Sequence, residues 1–155
     1  MSAPATPPQP GPISRSLNQM ARLLRLDAKA AAAQARGFLR EYPGHRQGLM
    51  LLVSAHRLAG DLRGARRALL EMAEAQPGLA AVHYELGLLL TETGEHEKAI
   101  AALSRAVSLE PLHAQAWRAL GDALAESGNA AEANKAYVKR IEFAATRLEH
   151  LENEA

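Results

Sequence analysis

The fold is decided by residues 80–113, which read AAVHYELGLLLTETGEHEKAIAALSRAVSLEPLH. Apolar residues recur at the spacing of one helix face, first before and then after a turn at Thr93-Gly94-Glu95. Pro111 ends the second helix, because proline lacks a backbone N–H and restricts the residue before it. Pro43, Pro77 and Pro111 follow one another at steps of 34 residues. A period of this length is typical of a solenoid of stacked helical hairpins.

Writing the chain in lines of 34 residues produces columns with shared chemistry. One column can cap a helix N-terminus or favour its positive end, and it contains Asp27, Asp61, Glu95 and Asn129. The preceding column suits a left-handed turn, and it contains Gly60, Gly94 and Gly128, with Leu26 in the first line. A third column is small enough for two helices to approach closely, and it contains Ala31, Ala65, Ala99 and Ala133.

Gly87 and Gly121 share a column inside the first helix of each hairpin. Glycine within a helix costs about 1 kcal/mol relative to alanine. We therefore expect a neighbouring helix to pack against bare backbone at both positions.

These columns resemble the tetratricopeptide repeat, whose pattern is W-x2-L-G-x2-Y, then A-x3-F, then P. The last repeat carries Trp117-x2-Leu120-Gly121 and Ala133-x3-Tyr137, with Leu124 at the tyrosine position. The middle repeat carries His83-x2-Leu86-Gly87-x2-Leu90, Ala99-x3-Leu103 and Pro111. The resemblance implies an all-α fold, a right-handed superhelical α-solenoid of helix-turn-helix repeats with a C-terminal capping helix extension.

The repeat pattern also divides the chain. Residues 1–13 hold five of the eight prolines and are expected to form a disordered tail, because they cannot bury enough apolar surface. Residues 14–155 form the repeat domain, with a degenerate repeat at 14–45, full repeats at 46–79, 80–113 and 114–147, and a helix end at 148–155. Helices are predicted at about 14–25, 28–41, 46–58, 62–75, 80–92, 96–109, 114–126 and 130–143.

The final helix is expected to continue to about residue 152. Its apolar stripe has spacings of four and three residues, and it contains Ala133, Tyr137, Ile141, Ala144, Leu148 and Leu151. The helix either covers the open end of the solenoid, as terminal repeats must, or meets another chain through Leu148 and Leu151. The second alternative makes a homodimer through the C-terminal helix, or contact with a downstream domain.

Composition excludes several classes of function. The chain has no cysteine, which excludes disulfides and thiolate chemistry and favours a reducing, cytoplasmic compartment. No apolar run reaches the roughly 18 residues of a membrane span, so no membrane partner is predicted.

Net charge is +6 over residues 1–79 and −5 over residues 80–155, which reflects either solvated helix faces or a polar rod that steers a partner. Basic residues are scattered and aromatic residues are few, so nucleic-acid binding is not expected.

No arrangement of catalytic groups is recognisable. The six histidines fall on different repeats without metal-ligand spacing, and His83 occupies the tryptophan column, where it is expected to pack. The chain lacks a phosphate-binding loop, a dinucleotide fingerprint and a nucleophile elbow. The prediction is a non-enzymatic protein without metal or cofactor.

Binding is the positive hypothesis, since stacked helical hairpins form a concave surface lined by their first helices. The resemblance places a groove for a protein or peptide ligand on ten residues: Gln47, Met50, Ser54, Arg57, Tyr84, Leu88, Thr91, Gln115, Arg118 and Asp122. Ala81 and Ala125 lie on the same faces. Some family members clamp a C-terminal carboxylate with Lys and Asn, where this chain has Met50, Ser54, Tyr84 and Leu88, so that clamp is not expected.

A narrower resemblance offers an alternative function. EYPGH, the QPGLAAVHYELG repeat and AYVKRIEFAATR are similar in order and wording to the N-terminal repeats of bacterial tetratricopeptide-sulfotransferase proteins. The resemblance implies a recognition arm, or a relative, of an enzyme whose catalytic domain is absent from these residues.

Overall fold

The computed structural model describes residues 11–154, and this part of the chain consists of eight α-helices without a strand. The helices are α1 (Pro12–Leu26), α2 (Ala28–Glu41), α3 (Arg46–Leu58), α4 (Leu62–Ala75), α5 (Ala80–Glu92), α6 (His96–Leu109), α7 (Ala114–Glu126) and α8 (Ala130–Asn153). The all-α class is confirmed, and α2 to α7 begin and end where the 34-residue period predicts.

The first helix starts earlier than predicted. Pro12 and Ile13 were expected in the tail but form the first turn of α1, after Gly11 at the N-cap. The shift has a physical reason, because proline's fixed φ suits the first helical position and its missing N–H would be unsatisfied there anyway. The rest of the predicted disordered tail, residues 1–10, lies outside the described residues.

The helices group into two compact units, one ending at Asp61 and the other beginning at Leu62. In the first unit, α1, α2 and α3 pack against one another around Met20, Ala35 and Leu49. Gly48 of α3 admits Phe38 of α2, since a Cβ at Gly48 would lie 2.7 Å from the Phe38 ring. This contact between α2 and α3 involves a glycine outside the column of Gly87 and Gly121.

In the second unit, each helix packs on its sequence neighbours from α4 to α8, and α5 also contacts α7. Its core is made of small and branched side chains, including Leu69, Val82, Leu89, Ala99 and Leu103, all fully or almost fully buried. The α5–α6 and α7–α8 hairpins turn at Gly94 and Gly128, whose positive φ of 78° and 86° is the left-handed conformation predicted for this column.

The predicted close approach at Gly87 and Gly121 is confirmed. A Cβ at Gly87 would lie 2.6 Å from Leu103 Cδ2, and a Cβ at Gly121 would lie 2.7 Å from Tyr137 Cδ1. Leu103 and Tyr137 come from the second helix of the same hairpin, where they follow the buried Ala99 and Ala133 by one helical turn. A large side chain on the second helix therefore occupies the space that glycine leaves on the first.

The residues of the capping column make two kinds of interaction. Asp27 accepts from the Ala30 amide at 3.0 Å and Asn129 from the Glu132 amide at 3.3 Å, as N-caps should. Glu95 makes no side-chain cap and instead binds Arg66 of α4 and Lys98 of α6. Asp61 Oδ2 lies 3.0 Å from His56 Nδ1.

The last helix continues to Asn153, as expected, but its apolar stripe is buried only at its start. Ala133 and Tyr137 pack on α7, and Phe143 still contacts Trp117 with ring centroids 6.1 Å apart. Beyond them, Ile141, Leu148 and Leu151 remain 65%, 62% and 58% exposed. The second half of α8 therefore presents apolar side chains that nothing in the described chain covers.

Candidate peptide-binding surface on α5 and α7

Six of the ten predicted groove residues lie on α5 and α7, which are neighbours in the second unit. Tyr84, Leu88 and Thr91 of α5 are half-buried. On α7, Gln115 and Arg118 are exposed and Asp122 is half-buried. Partial exposure of a row of side chains on adjacent helices is the condition for a shared contact surface.

The other four predicted residues belong to α3 in the first unit. Gln47 and Met50 are exposed, while Ser54 and Arg57 are half-buried. Their inclusion in one groove with the residues of α5 and α7 stays a prediction.

Tyr84 is the aromatic centre of the α5 side. Its ring lies 4.8 Å from the ring of His113, the residue that caps α7 by accepting from the Ala116 amide at 3.1 Å. Burial raises the pKa of the Tyr84 phenol, the Glu85 carboxylate adds to the rise, and Arg118 opposes it. The phenol is therefore neutral at physiological pH and presents a hydroxyl beside an apolar ring.

Asp122 is held in place on the α7 side by two neighbours. The Tyr137 hydroxyl donates to Asp122 Oδ1 at 2.7 Å, and Arg118 Nε lies 3.9 Å from Asp122 Oδ2. The hydrogen bond to Asp122 and burial raise the pKa of Tyr137, so its hydroxyl keeps the proton that it donates. The ring of Tyr137 reaches this position because Gly121 leaves room for it.

Arg118 is the most accessible charged group of the surface, with its side chain 58% exposed. It lies near Tyr84, whose pKa it influences, and near Asp122. The structure thus brings Tyr84, Arg118 and Asp122 together with two residues outside the predicted set, His113 and Tyr137. Leu88 and Gln115 lie on the same two helices. The Thr91 hydroxyl donates to the Gly87 carbonyl at 3.0 Å.

Sequence reasoning missed His113 and Tyr137 for different reasons. Tyr137 was predicted only as the aromatic position of the repeat motif and as part of the apolar stripe of the last helix. Its hydroxyl group was the available signal, because Leu103 at the same position of the preceding repeat is apolar. His113 follows the loop after Pro111, and its contact with Tyr84 depends on how α7 lies beside α5.

His83 and Trp117 have the same structural role in successive repeats. His83 Nε2 lies 2.8 Å from the Pro77 carbonyl, and Trp117 Nε1 donates to the Pro111 carbonyl at 2.7 Å. Both bonds tie a first helix to the proline loop that precedes it. Among residues 11–154, no three His, Cys, Asp or Glu side chains cluster as metal ligands would.

A second polar cluster lies in the first unit. His56 is 3% exposed, with Asp61 Oδ2 3.0 Å from Nδ1 and Arg36 Nη2 3.0 Å from Nε2. A guanidinium only donates, so Nε2 accepts and Nδ1 carries the proton directed to Asp61. The cluster borders a cleft of about 180 Å³ that Lys29, Ala32 and Ala33 also line. Because both ring nitrogens are engaged, His56 here joins α2 to the end of α3.

No helix within the described part of the chain has the length and hydropathy needed to cross a bilayer.

The fold is similar to that of several solved structures. Two crystal structures of MamA align at 23% identity, one over 89% of this chain and 76% of that protein with a TM-score of 0.70, the other over 91% and 83% with 0.73. A MamA RS-1 ArsTM double mutant aligns at 21% identity over 88% and 77%, with 0.69. At these identities the likeness concerns the fold alone.

Similarity in sequence agrees with the fold. No curated protein matches the chain significantly. The family model of the tetratricopeptide repeat matches residues 59–109 and 84–147, which together make up more than half of the sequence. The repeat columns, the glycine turns and the helical hairpins are those of this family, and the chain belongs to the tetratricopeptide repeat family.

Proposed function

We propose that this chain is a non-enzymatic interaction module that binds an extended protein segment across α5 and α7. The observation that carries the proposal is a partly exposed cluster of five side chains. Tyr84 contacts His113, Tyr137 donates to Asp122, and Arg118 pairs with Asp122. Repeat folds of this family support a role as a protein-interaction scaffold. The groove of ten residues predicted from the sequence stays a proposal.

Tyr84 supplies the apolar part of the contact. Tyrosine is enriched among the residues that dominate binding energy, because it buries a large ring and offers a polar tip at small entropic cost. The neighbouring His113 ring restricts the orientation of Tyr84, which reduces the cost of ordering on binding. This pair suits an apolar or aromatic side chain of the ligand.

Arg118 supplies the polar part. Its guanidinium carries five donors. Asp122 Oδ2 lies 3.9 Å from Arg118 Nε, while Asp122 Oδ1 accepts from the Tyr137 hydroxyl. Arg118 therefore has donors left for a backbone carbonyl or carboxylate of a ligand. The proposed ligand is an extended segment with an apolar residue next to an acidic residue or a free carbonyl.

The test uses a random-peptide display library screened against the purified full chain. Peptides recovered would be synthesised with a fluorophore and titrated by anisotropy. We expect Tyr84→Ala and Arg118→Ala each to weaken binding by about tenfold or more, as loss of a central anchor does. Arg105→Ala, an exposed arginine on α6, is the matched control and should leave the affinity unchanged.

A library that yields no binder would reject the proposal. So would peptides that bind the Tyr84 and Arg118 variants as tightly as the parent chain. Gln47→Ala and Met50→Ala, tested with the same peptides, determine whether α3 contributes.

The resemblance to the repeats of sulfotransferase proteins stays the alternative. It predicts a catalytic reading frame adjoining this one, and the gene sequence beyond codon 155 tests it. A cytoplasmic location is proposed from the absence of cysteine. We also propose that the partner is not a nucleic acid, because the basic residues are scattered, and not a membrane, because no apolar run is long enough to span one. A second copy of the chain is the partner we propose for the other exposed surface, the apolar face of α8.

A further inference from the structure

The apolar face of α8 has the spacing of a coiled-coil seam. Ile141, Ala144, Leu148 and Leu151 follow one another at three, four and three residues, so they fall within an arc of about 80° on the helix. Alternation of three and four residues is the pattern by which two helices interlock. Three of these four side chains are more than half exposed.

We propose that this face, residues 141–151, pairs with the same face of a second copy in antiparallel orientation. The inference rests on the proposed role of a second copy as the partner of α8, and adds its orientation and register. The contacts within such a pair follow from the order of side chains along the helix.

Packing favours the antiparallel orientation. With the copies reversed and centred at residue 146, Ile141 meets Leu151 of the second copy, and Ala144 meets Leu148. Every layer then contains at least one large side chain, and each alanine is filled by a leucine. A parallel pair would oppose Ala144 to Ala144 and leave a gap, which costs packing energy.

Charge along the helix supports the same partner. Residues 135–147 of α8 contain four basic side chains, Lys135, Lys139, Arg140 and Arg147, against Glu142 alone. Residues 148–154 contain three acidic side chains, Glu149, Glu152 and Glu154, and no Lys or Arg. Reversing the second copy therefore places the basic part of one helix beside the acidic end of the other, and Arg140 then lies near Glu154 of the second copy.

One contact opposes the arrangement. Arg147 would lie near Arg147 of the second copy at the centre of the antiparallel pair, whereas a parallel pair would place it near Glu152. The seam is also short, so the association is weak and needs high protein concentration. The Arg147 contact can be tested by substitution, and the weak association by sedimentation at high concentration.

The cysteine-free sequence allows the orientation to be read by disulfide trapping. Ile141→Cys and Leu151→Cys, both at exposed positions, would be mixed and equilibrated in a glutathione redox buffer. We expect the mixture to form a cross-linked dimer containing one of each variant, and each variant alone to stay largely unlinked. Equal positions are about 15 Å apart along the axis in this register, beyond disulfide reach.

Efficient linking of each variant to itself, with little mixed product, would overturn the antiparallel orientation while keeping the second copy as partner. Ser104→Cys on α6 measures linking by random collision. Linking no greater than this background in every mixture, together with a monomer in sedimentation at high concentration, would reject self-pairing altogether. A different protein or a following segment would then be the occupant of the face.

A second measurement avoids cysteine. Sedimentation equilibrium should show that Leu148→Glu weakens the dimer by at least about tenfold, since it places a charge in the seam twice. Arg147→Gln should strengthen the dimer severalfold by removing the central repulsion. Weakening by Arg147→Gln would indicate the parallel arrangement and contradict the proposed one.

Discussion

At the scale of single residues, Gly87 and Gly121 show why this repeat requires glycine within a helix. Leu103 and Tyr137 occupy the volume that a Cβ would need, so the loss of helix propensity at each glycine is offset by burial of a large side chain. At Gly121 the same contact also serves the candidate site, because it brings the Tyr137 hydroxyl to Asp122.

Replacing two helical glycines by alanine should have opposite effects. Gly87→Ala should lower the free energy of unfolding by about 1–3 kcal/mol, because the new Cβ overlaps Leu103. Gly37→Ala is the matched control, since its Cβ would lie 3.7 Å from Arg40 Nη2, an ordinary contact. That variant should be neutral or more stable by up to about 1 kcal/mol. Urea unfolding followed by circular dichroism measures both, and equal effects would show that space at Gly87 is not limiting.

Glu95 makes stability depend on acid pH. Its hydrogen bonds with Arg66 and Lys98 lower its pKa from 4.5 to about 2. The folded state thus favours the carboxylate, and its contribution is complete above pH 4.5 and lost as the pH falls towards 2. We expect the difference in unfolding free energy between the parent chain and Glu95→Gln to narrow over that interval. The difference in unfolding free energy should also become smaller as the salt concentration rises, because salt screens exposed ion pairs. A difference that stays constant down to pH 2 would contradict the assignment.

At the scale of elements, short connections make capping groups important. A single residue, Asp27, separates α1 from α2, and it caps α2 through the Ala30 amide. Asn129 and His113 cap α8 and α7 in the same way. Each of these caps satisfies an amide of the first turn that has no partner within its own helix.

Removing the cap of α2 should destabilise the chain measurably. Asp27→Ala should lower the free energy of unfolding by about 1 kcal/mol, because the first turn of α2 loses an acceptor. Asp27→Asn retains an acceptor and should cost much less. Chemical denaturation of both variants provides the comparison. An equal loss for alanine and asparagine would mean that the charge of Asp27, and not its hydrogen bond, stabilises α2.

The last element behaves differently from the other seven. The first half of α8 completes a hairpin with α7, while Ile141, Leu148 and Leu151 stay exposed beyond it. This exposed stripe is the surface that we propose for association with a second copy, and the change from basic to acidic side chains along α8 is what favours the antiparallel orientation.

At the scale of the whole molecule, contacts are local in sequence. Each helix of a unit packs mainly on its immediate neighbours, which makes stability a sum of adjacent interactions. The surface that we propose for binding, on α5 and α7, would be supported by the core immediately behind it.

Loss of core packing should therefore act regionally. Leu103→Ala should cost about 2–5 kcal/mol, since Leu103 is fully buried against Gly87. Native-state hydrogen exchange should show faster exchange of amides in α5 to α8, with amides of α1 and α2 little changed. Uniform acceleration throughout the chain would indicate one cooperative unit instead.

The sequence by itself determined the helices, their turns and the family. A period of 34 residues with glycine and proline at constant positions encodes local backbone conformation, which depends on neighbours along the chain. The glycine contacts at 87 and 121 were also predictable, because an unfavourable residue repeated in register requires a packing reason.

Only the tertiary structure decided which side chains meet across helices. The contact of Tyr84 with His113, the bond from Tyr137 to Asp122 and the joining of Arg36 to His56 each depend on how two helices are rotated about their axes. The exposed end of α8 has the same origin. Its stripe is periodic enough to be buried, and only the position of the neighbouring helices shows that no described residue covers it, because periodicity marks an apolar face without specifying its partner.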